Sequence, residues 1–576
     1  MFLLARLLVV AAADLPTITP DEYGSWAIAR WMVGAEGTLW MADMPRYPVL
    51  GGAVFAPVEA LGLGPTTTYR MGLLVASLSV FAAALLLRRA VAQLVPGSPV
   101  PAAGAYGLAL LFPATLVSTS FTWAEPTVLL VWATLVWAAV AAWMRPGSAR
   151  AALCVGGLAA GAAPFVHGRM LFVPLVWLAG LAWMWWDHRA SVRGEGGRHV
   201  DAEPTAAPTR WLLVSAAAAL AAAAALRQVD LAAGDAIWSG GAAKSRGHVL
   251  GDLGNPELWG RAAMVAVGQL WYSVVASMGL AAVGVAALVA MIRRPRHPAD
   301  RPLATLLGLA AASVYVTSIG VMASGIHRAD GAAGTGLRTI RWDHHFYGRY
   351  VDAVVLVLAV VGMVHCWRCA GRRPLRSPFV AAALCVFGGA AIALRLAGTD
   401  AIGLKPYTVG GLSALTGSTA EPRVLVWSVV GAAAAAVLGI AARRGRAAFV
   451  ATAAVLVLMG SFGALRVASQ LQHDLSAPDL VAAVGPAPDG GGTLLVARDA
   501  AQLAYLRVGV FPLQYQFLHE GWRTTLSADD SVELVGSVDA GDEPVVLVLT
   551  DGVDPPDGFV PVAEFEGAEL WARPDR

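Results

Sequence analysis

The chain has 576 residues, of which 57% are hydrophobic and 14% charged, with a mean hydropathy of +0.62. Soluble domains carry about 25% charged residues, so this composition excludes an ordinary soluble protein, and a formal net charge of +2 excludes a strongly basic nucleic-acid binder. The near-neutrality is a cancellation: residues 468–576 hold 18 Asp and Glu against 5 Arg and no Lys, a net of −13, while the rest of the chain carries +15.

Apolar runs, most of them about 18–22 residues and long enough to cross a bilayer core, predict about thirteen spans. They lie near 2–13, 70–87, 100–119, 126–144, 151–166, 170–186, 211–226, 263–291, 303–324, 351–367, 378–394, 424–442 and 447–466. The first run is short and contains Arg6; the alanines at 11–13 before Asp14 make no convincing A-x-A cleavage site, so the run reads as a clipped first helix and not as a signal peptide. Basic residues concentrate in alternate short loops: Arg88/Arg89, Arg145/Arg150, the 187–210 loop, "RRPRHPADR" (293–301), "RCAGRRPLR" (368–376) and "RRGR" (443–446). The positive-inside bias makes these loops cytoplasmic. A multi-pass plasma-membrane protein follows, with a cytoplasmic N-terminus and the long loops and C-terminal tail outside.

In the first long loop, residues 14–69, "TITPDEYGSWAIARW" (17–31) reads as a helix start, with Thr19 as N-cap, Pro20 in the first turn and Glu22 reaching back to the cap. Tyr23, Trp26 and Arg30/Trp31 would then share one side, as in an interfacial amphipathic helix. The cap accounts for Glu22 and leaves Asp21 over. Further on, "YPVLGGAVFAPVEALGLG" (47–64) is apolar enough to dip into the interface.

Acidic and basic residues also stand at the outer ends of later spans. Glu125 precedes Pro126 in "STSFTWAEPTVLLVWATL" (118–135), where an acid suits the helix dipole whatever its job. His167 and Arg169 close the 151–166 span. In the 227–262 loop, Lys244, Arg246 and His248 form a small basic group, and Trp238, Trp259 and Trp271 read chiefly as interfacial anchors. The 325–350 loop holds Arg328, Arg338, Arg341 and Arg349 with His327, His344 and His345, against Asp330 and Asp343. Arginine forks suit phosphate oxygens, so this loop is the candidate phosphate site, with Arg349 and Arg341 leading. The four cysteines, including the C-x-x-C of Cys366 and Cys369, read as packing residues, since no second pair is present.

The acidic tail reads as a small α/β domain. Strands are expected at 492–498 and 544–550, helical segments at 500–522, and a closing hairpin at 559–573 turned at Glu566-Gly567.

A short first span followed by "DE" with aromatics, an acid at the outer start of a later span, and "HHFYGRYVDAVVLVL" (344–358) with Arg349-Tyr350 opening a late span resemble the GT-C fold, polyprenyl-phosphate-sugar-dependent membrane glycosyltransferases. The likeness is to the PMT/ArnT-like and actinobacterial arabinosyl/mannosyltransferase group, and it covers residues 1–466. It implies a polytopic α-helical GT-C-like transmembrane domain over 1–466, with a catalytic first external loop, and an acidic extracytoplasmic α/β domain over 467–576. It also implies an inverting transfer of a mannose- or arabinose-class sugar from a polyprenyl-phosphate donor to a cell-envelope glycan or glycoconjugate. On that resemblance Asp21 is the base, with Glu22 and Glu125 as supporting acids. Arg349, Arg341, Arg338, His344, His345, Tyr350, His167 and Arg169 are the donor-phosphate candidates. Any divalent cation would sit between Asp21 and Glu125, but two or three acids are too few to demand one. Expected partners are the lipid donor, the glycan acceptor and the bilayer, with no nucleic acid. The alternatives are a flippase of lipid-linked sugars, which would need ionisable groups near mid-membrane and often inverted repeats, and a non-catalytic scaffold of the same fold.

Overall fold

The computed structural model describes residues 10, 16–17, 19–35, 47–144, 149–192, 209–237, 255–297, 299–331, 342–371, 376–397, 406–416, 423–475, 484, 487, 492–497, 510–520, 522–526, 529–537, 545–550, 552–565 and 568–573. Among these, ten helices are long and apolar enough to cross a bilayer: Pro65–Leu94, Glu125–Met144, Ala149–Val166, Gly168–Asp187, Thr209–Ile237, Asp300–Ile326, Asp352–Cys369, Ser377–Leu396, Val424–Arg444 and Arg446–Gln472. A bent pair, Leu258–Ala276 and Leu280–Arg293, meets at 104° and passes the same test only when the two helices are taken together. The break falls at Met278 (φ 52°) and Gly279 (φ 85°), both in the left-handed region, which ends one helix and re-aims the next. Of the remaining runs, 2–13 falls almost entirely outside the described residues. The 100–119 run is a thirteen-residue helix, Pro99–Leu111, interrupted at Phe112 before a short Pro113–Ser118 helix. Pro113 lacks the N–H that would carry one helix into the next.

One contiguous core, with Val80, Trp132, Tyr272, Val355, Leu358 and Trp427 among its members, runs through most spans. Large apolar side chains such as Phe387, Leu394 and Phe462 stay exposed on the outer faces of their spans, the surface a hydrocarbon solvent would cover.

The C-terminal region forms a five-stranded sheet from β1 (Gly492–Val496), β2 (Trp522–Leu526), β3 (Val545–Thr550), β4 (Val560–Phe565) and β5 (Ala568–Ala572). Its order is β2-β1-β3-β5-β4, parallel across β2, β1 and β3 and antiparallel across β3, β5 and β4. The β4/β5 hairpin lies where the sequence predicts it. Edge strand β2, "WRTTL", was not expected: it is short and polar. The helix Val510–His519 precedes it.

This last helix docks the tail onto the segment between residues 20 and 65. Tyr515 packs against Trp26, ring centroids 5.5 Å apart, and its hydroxyl donates to the Pro65 carbonyl at 3.4 Å. Arg30 pairs with Glu59 at 2.7 Å, Glu59 meets His519 Nε2 at 3.1 Å, and Arg30 also donates to the Leu518 carbonyl at 3.5 Å. The Pro20–Met32 helix therefore departs from the interfacial reading. Tyr23, Trp26, Ile28 and Ala29 are all buried, and so is Arg30. Short helices Val49–Ala53 and Ala56–Glu59 pack against it as well, so the 47–64 stretch serves as its floor.

Candidate active site

Helix Pro20–Met32 starts as its sequence requires. Thr19 is extended and its backbone N–H donates to Glu22 Oε2 at 2.8 Å. Glu22 does far more than cap. It is fully buried, and its Oε1 accepts from Tyr69 Oη at 2.9 Å, from the Thr122 N–H at 2.7 Å and from Thr122 Oγ1 at 3.0 Å. Burial pushes its carboxyl up to about 7 against the pull of these hydrogen bonds. Two indoles complete the latch between the helix and the 119–124 turn: Trp26 Nε1 donates to Thr122 Oγ1 and Trp123 Nε1 donates to Thr19 Oγ1, both at 3.0 Å. The structure thus sets Glu22 behind the helix and leaves Asp21 in front of it.

Asp21 faces a row of alternating charges. Its Oδ2 forms an ion pair with Arg349 Nη1 at 2.6 Å, and Arg349 Nε donates to Glu125 Oε1 at 2.9 Å. Arg169 Nη2 reaches the same Glu125 oxygen at 3.5 Å. Glu125, Arg169 and Arg349 are all buried, whereas the Asp21 side chain is 35% exposed. Asp21 is therefore the acid of this row that an outside molecule can approach. Burial alone would disfavour a charged Arg349, but Asp21 and Glu125 outweigh it and hold the guanidinium well above its ordinary pKa. The guanidinium also lies 4.1 Å over the Trp123 ring, a cation–π seat. Arg169 lies 5.2 Å from the Tyr350 ring and donates to the Arg349 carbonyl at 3.1 Å. His167 packs edge-on against Tyr350, centroids 5.4 Å apart.

Two glycines make these placements possible. A Cβ on Gly24 would fall 2.2 Å from Tyr47 Cδ2; its absence lets the Tyr47 ring lie along the helix and donate to Asp21 Oδ1 at 2.6 Å. Burial, then the Asp21 charge, pushes the Tyr47 phenol well above its usual range. A Cβ on Gly348 would fall 1.9 Å from Tyr272 Cζ. The turn just before Arg349 is thus pressed against that ring, and the Arg349 N–H is tied to the Thr408 carbonyl at 2.9 Å.

The structure brings together Asp21, Glu125, Arg169, Arg349, Tyr350 and His167, residues spread over more than 300 positions. His344 and His345 lie on the neighbouring 3-10 turn Trp342–His345, with His345 buried. Arg338, Arg341, Lys244, Arg246 and His248 lie outside the described residues. Trp271 is a core residue, not an interfacial anchor: it is buried, and its Nε1 donates to the Cys385 carbonyl and Ser428 Oγ at 3.1 and 3.2 Å. Asp21 and Glu125 do not fit as a shared metal site, because the Arg349 guanidinium bridges them. No group of three or more metal-ligating side chains occurs among the described residues. Sequence reasoning missed Tyr47, Tyr69 and Thr122. Only the aromatic and hydroxyl content of "PRYP", "TTTYR" and "STSFTW" marks them, and that signal is common to many stretches.

No family model and no curated protein sequence matches the chain. Among solved structures, ArnT from Cupriavidus metallidurans bound to undecaprenyl phosphate superposes with a TM-score of 0.52 at 16% identity, covering 100% of this chain and 97% of that one. Its apo form gives 0.51 at 16%, covering 99% and 97%. Arabinofuranosyltransferase AftD from Mycobacteria, at 14% identity and covering 41% of that chain, gives 0.39, too low to carry an argument. Superposition along the whole chain on a structure of nearly the same extent shows that this chain has the GT-C fold.

Proposed function

We propose that the protein is an inverting glycosyltransferase of the outer face of the plasma membrane. It would move a mannose- or arabinose-class sugar from a polyprenyl-phosphate donor to a cell-envelope glycan or glycoconjugate. The observation that carries this reading is the sharing of Arg349 between Asp21 and Glu125. A buried guanidinium pair held by one carboxylate suits a phosphodiester or phosphate anion, and the partly exposed carboxylate beside it suits a general base. That the ArnT structure holds undecaprenyl phosphate agrees with a lipid-phosphate donor here.

In the resting arrangement Asp21 is a poor base, since Tyr47 and Arg349 both hold its negative charge. The donor phosphate would compete for Arg349 and draw it from Asp21, while Glu125 keeps Arg169 and the Arg349 Nε in position. Asp21 then accepts the acceptor hydroxyl proton as that oxygen bonds to the anomeric carbon. The bond from the anomeric carbon to the phosphate oxygen breaks on the opposite side, and polyprenyl phosphate leaves as an anion against the two guanidiniums. One displacement inverts the anomeric centre. Basicity would thus be released only when donor is seated, which limits wasteful hydrolysis. Glu22 on this reading is an anchor for the helix and makes no contact with substrate.

The test is transfer in membranes carrying the wild type or Asp21→Asn, offered a panel of radiolabelled polyprenyl-phosphate sugars with endogenous acceptors. Incorporation from one donor, lost in Asp21→Asn with the protein folded, is the expected result. Full activity of Asp21→Asn would remove Asp21 as the base.

A further inference from the structure

A second site lies at the other end of the bundle. A cavity of about 1090 Å³ opens between the spans, at the upper limit of the roughly 300–1,000 Å³ of small-molecule pockets. Its walls are almost wholly apolar, with Leu307 and Val361 among them, and its mouth carries Arg294, Arg296 and Arg368. Within the Glu125–Met144 helix the lining extends from Met144 at the mouth to Trp132. Twelve residues at 1.5 Å each make that depth about 18 Å, close to one leaflet, which is half of a hydrocarbon core of about 30 Å. The acidic site begins beyond this, with Glu125 two helical turns further out.

We infer that this cavity is a binding site for an anionic phospholipid of the leaflet opposite the active site. Its phosphate sits at the Arg294–Arg296–Arg368 mouth and its acyl chains run inward towards Trp132. Charge complementarity carries the assignment. The exposed side chains of Arg294 and Arg296 have no ion-pair or hydrogen-bond partner among the described residues. One acid, Asp300, lines the same mouth: its Oδ2 accepts from the backbone N–H of Arg296 and of His297 at 2.8 and 3.0 Å and its charge acts on Arg368, but three arginines against one carboxylate leave the mouth net positive. Arg368 donates one bond to the Leu94 carbonyl at 2.6 Å, which pins its guanidinium across the mouth between two spans. Depth separates this ligand from a long polyprenyl chain, which one leaflet's length would not hold. The site needs no assumption about catalysis.

The test is lipid competition by native mass spectrometry on the purified full chain, with phosphatidylglycerol and phosphatidylcholine of equal chain length. Two juxtamembrane arginines are each worth about 1 kcal/mol against an anionic lipid, so a preference for phosphatidylglycerol of at least about tenfold is expected. It should fall to near unity in Arg294→Gln/Arg296→Gln/Arg368→Gln, which removes every arginine of the mouth and alters only exposed side chains. Val361→Trp, which puts an indole across the cavity and keeps the arginines, should weaken binding of both lipids. Equal binding of the two lipids by the wild type, a preference that survives the arginine changes, or unweakened binding in Val361→Trp would each overturn the site. So would displacement of phosphatidylglycerol by polyprenyl phosphate at equal concentration, by naming another occupant.

Discussion

Arg349 is committed to two carboxylates, and its neighbours respond differently to substitution. Glu125→Gln removes the charge that holds both Arg169 and Arg349 and leaves two buried guanidiniums under-compensated, a change of about 3–5 kcal/mol when a buried pair is broken. It should lower thermal stability as well as transfer, whereas Asp21→Asn, which alters a partly exposed side chain and leaves Arg349 its Glu125 partner, should lower transfer with a smaller loss of stability. Melting temperature and initial rate, measured on both variants, separate the two. Arg349→Lys keeps a charge but loses the fork and the flat seat over Trp123. Losing one positioned electrostatic group costs about 10²–10³ in kcat, so a rate within twofold of wild type would refute the phosphate role. Glu22 gives a pH signature of another kind. Its carboxyl is raised to about 7 in the folded protein from an ordinary 4.5, so between these values the folded state binds a proton that the unfolded state has released. Its contribution to stability is therefore most favourable below pH 4.5 and declines as pH rises to 7, by about 3 kcal/mol. Melting curves from pH 4.5 to 7.5 should fall more steeply for wild type than for Glu22→Gln, and parallel curves would refute the shift.

Among elements, the Pro20–Met32 helix concentrates the dependence. Gly24→Ala would push the Tyr47 ring off the helix and break its bond to Asp21, freeing that carboxylate to pair more fully with Arg349. Transfer should drop about tenfold with the melting temperature changed by only a few degrees; equal activity would show that Tyr47 plays no part. Tyr515→Ala works from the opposite side of the same helix. It removes the ring that packs on Trp26, and large aromatic-to-Ala changes in cores cost about 3–5 kcal/mol. Limited proteolysis should then cut the first loop sooner than in wild type, and unchanged cleavage would mean the tail is only a neighbour. These couplings explain what was legible. Asp21, Glu125, Arg169 and Arg349 stand out because each is a charged residue at the end of an apolar run, where hydropathy alone exposes it. Tyr47, Tyr69 and Tyr515 do not, since an aromatic carries no charge to mark it and local pattern does not name its distant partner. The interfacial reading of the 20–32 helix failed for a related reason: its aromatic side is the same whether lipid or Tyr515 covers it.

At the scale of the molecule, apolar length located the crossings, because a bilayer admits only runs that satisfy their own backbone. Bends were hidden, since Met278-Gly279 and Pro113 interrupt helices without interrupting hydrophobicity. Strand β2 was hidden too, as its partners β1 and its own edge position owe nothing to local pattern. A chain ending after residue 475 tests how far the two parts depend on each other. It should reach the membrane in normal amount, since every crossing is retained, yet show no transfer, and activity near wild type would refute the dependence.

Glu59 takes Arg30 on one side and His519 on the other, so the seat of the Pro20–Met32 helix has contributors 489 residues apart. A ribosome makes this chain in order, so Asp21 emerges before Glu59 and long before His519. The helix bearing it cannot settle until residue 519 has emerged and crossed to the same side. The acid is thus delivered early and set late: an unfinished chain carries the Asp21 carboxylate but lacks the His519 partner that completes the seat of its helix.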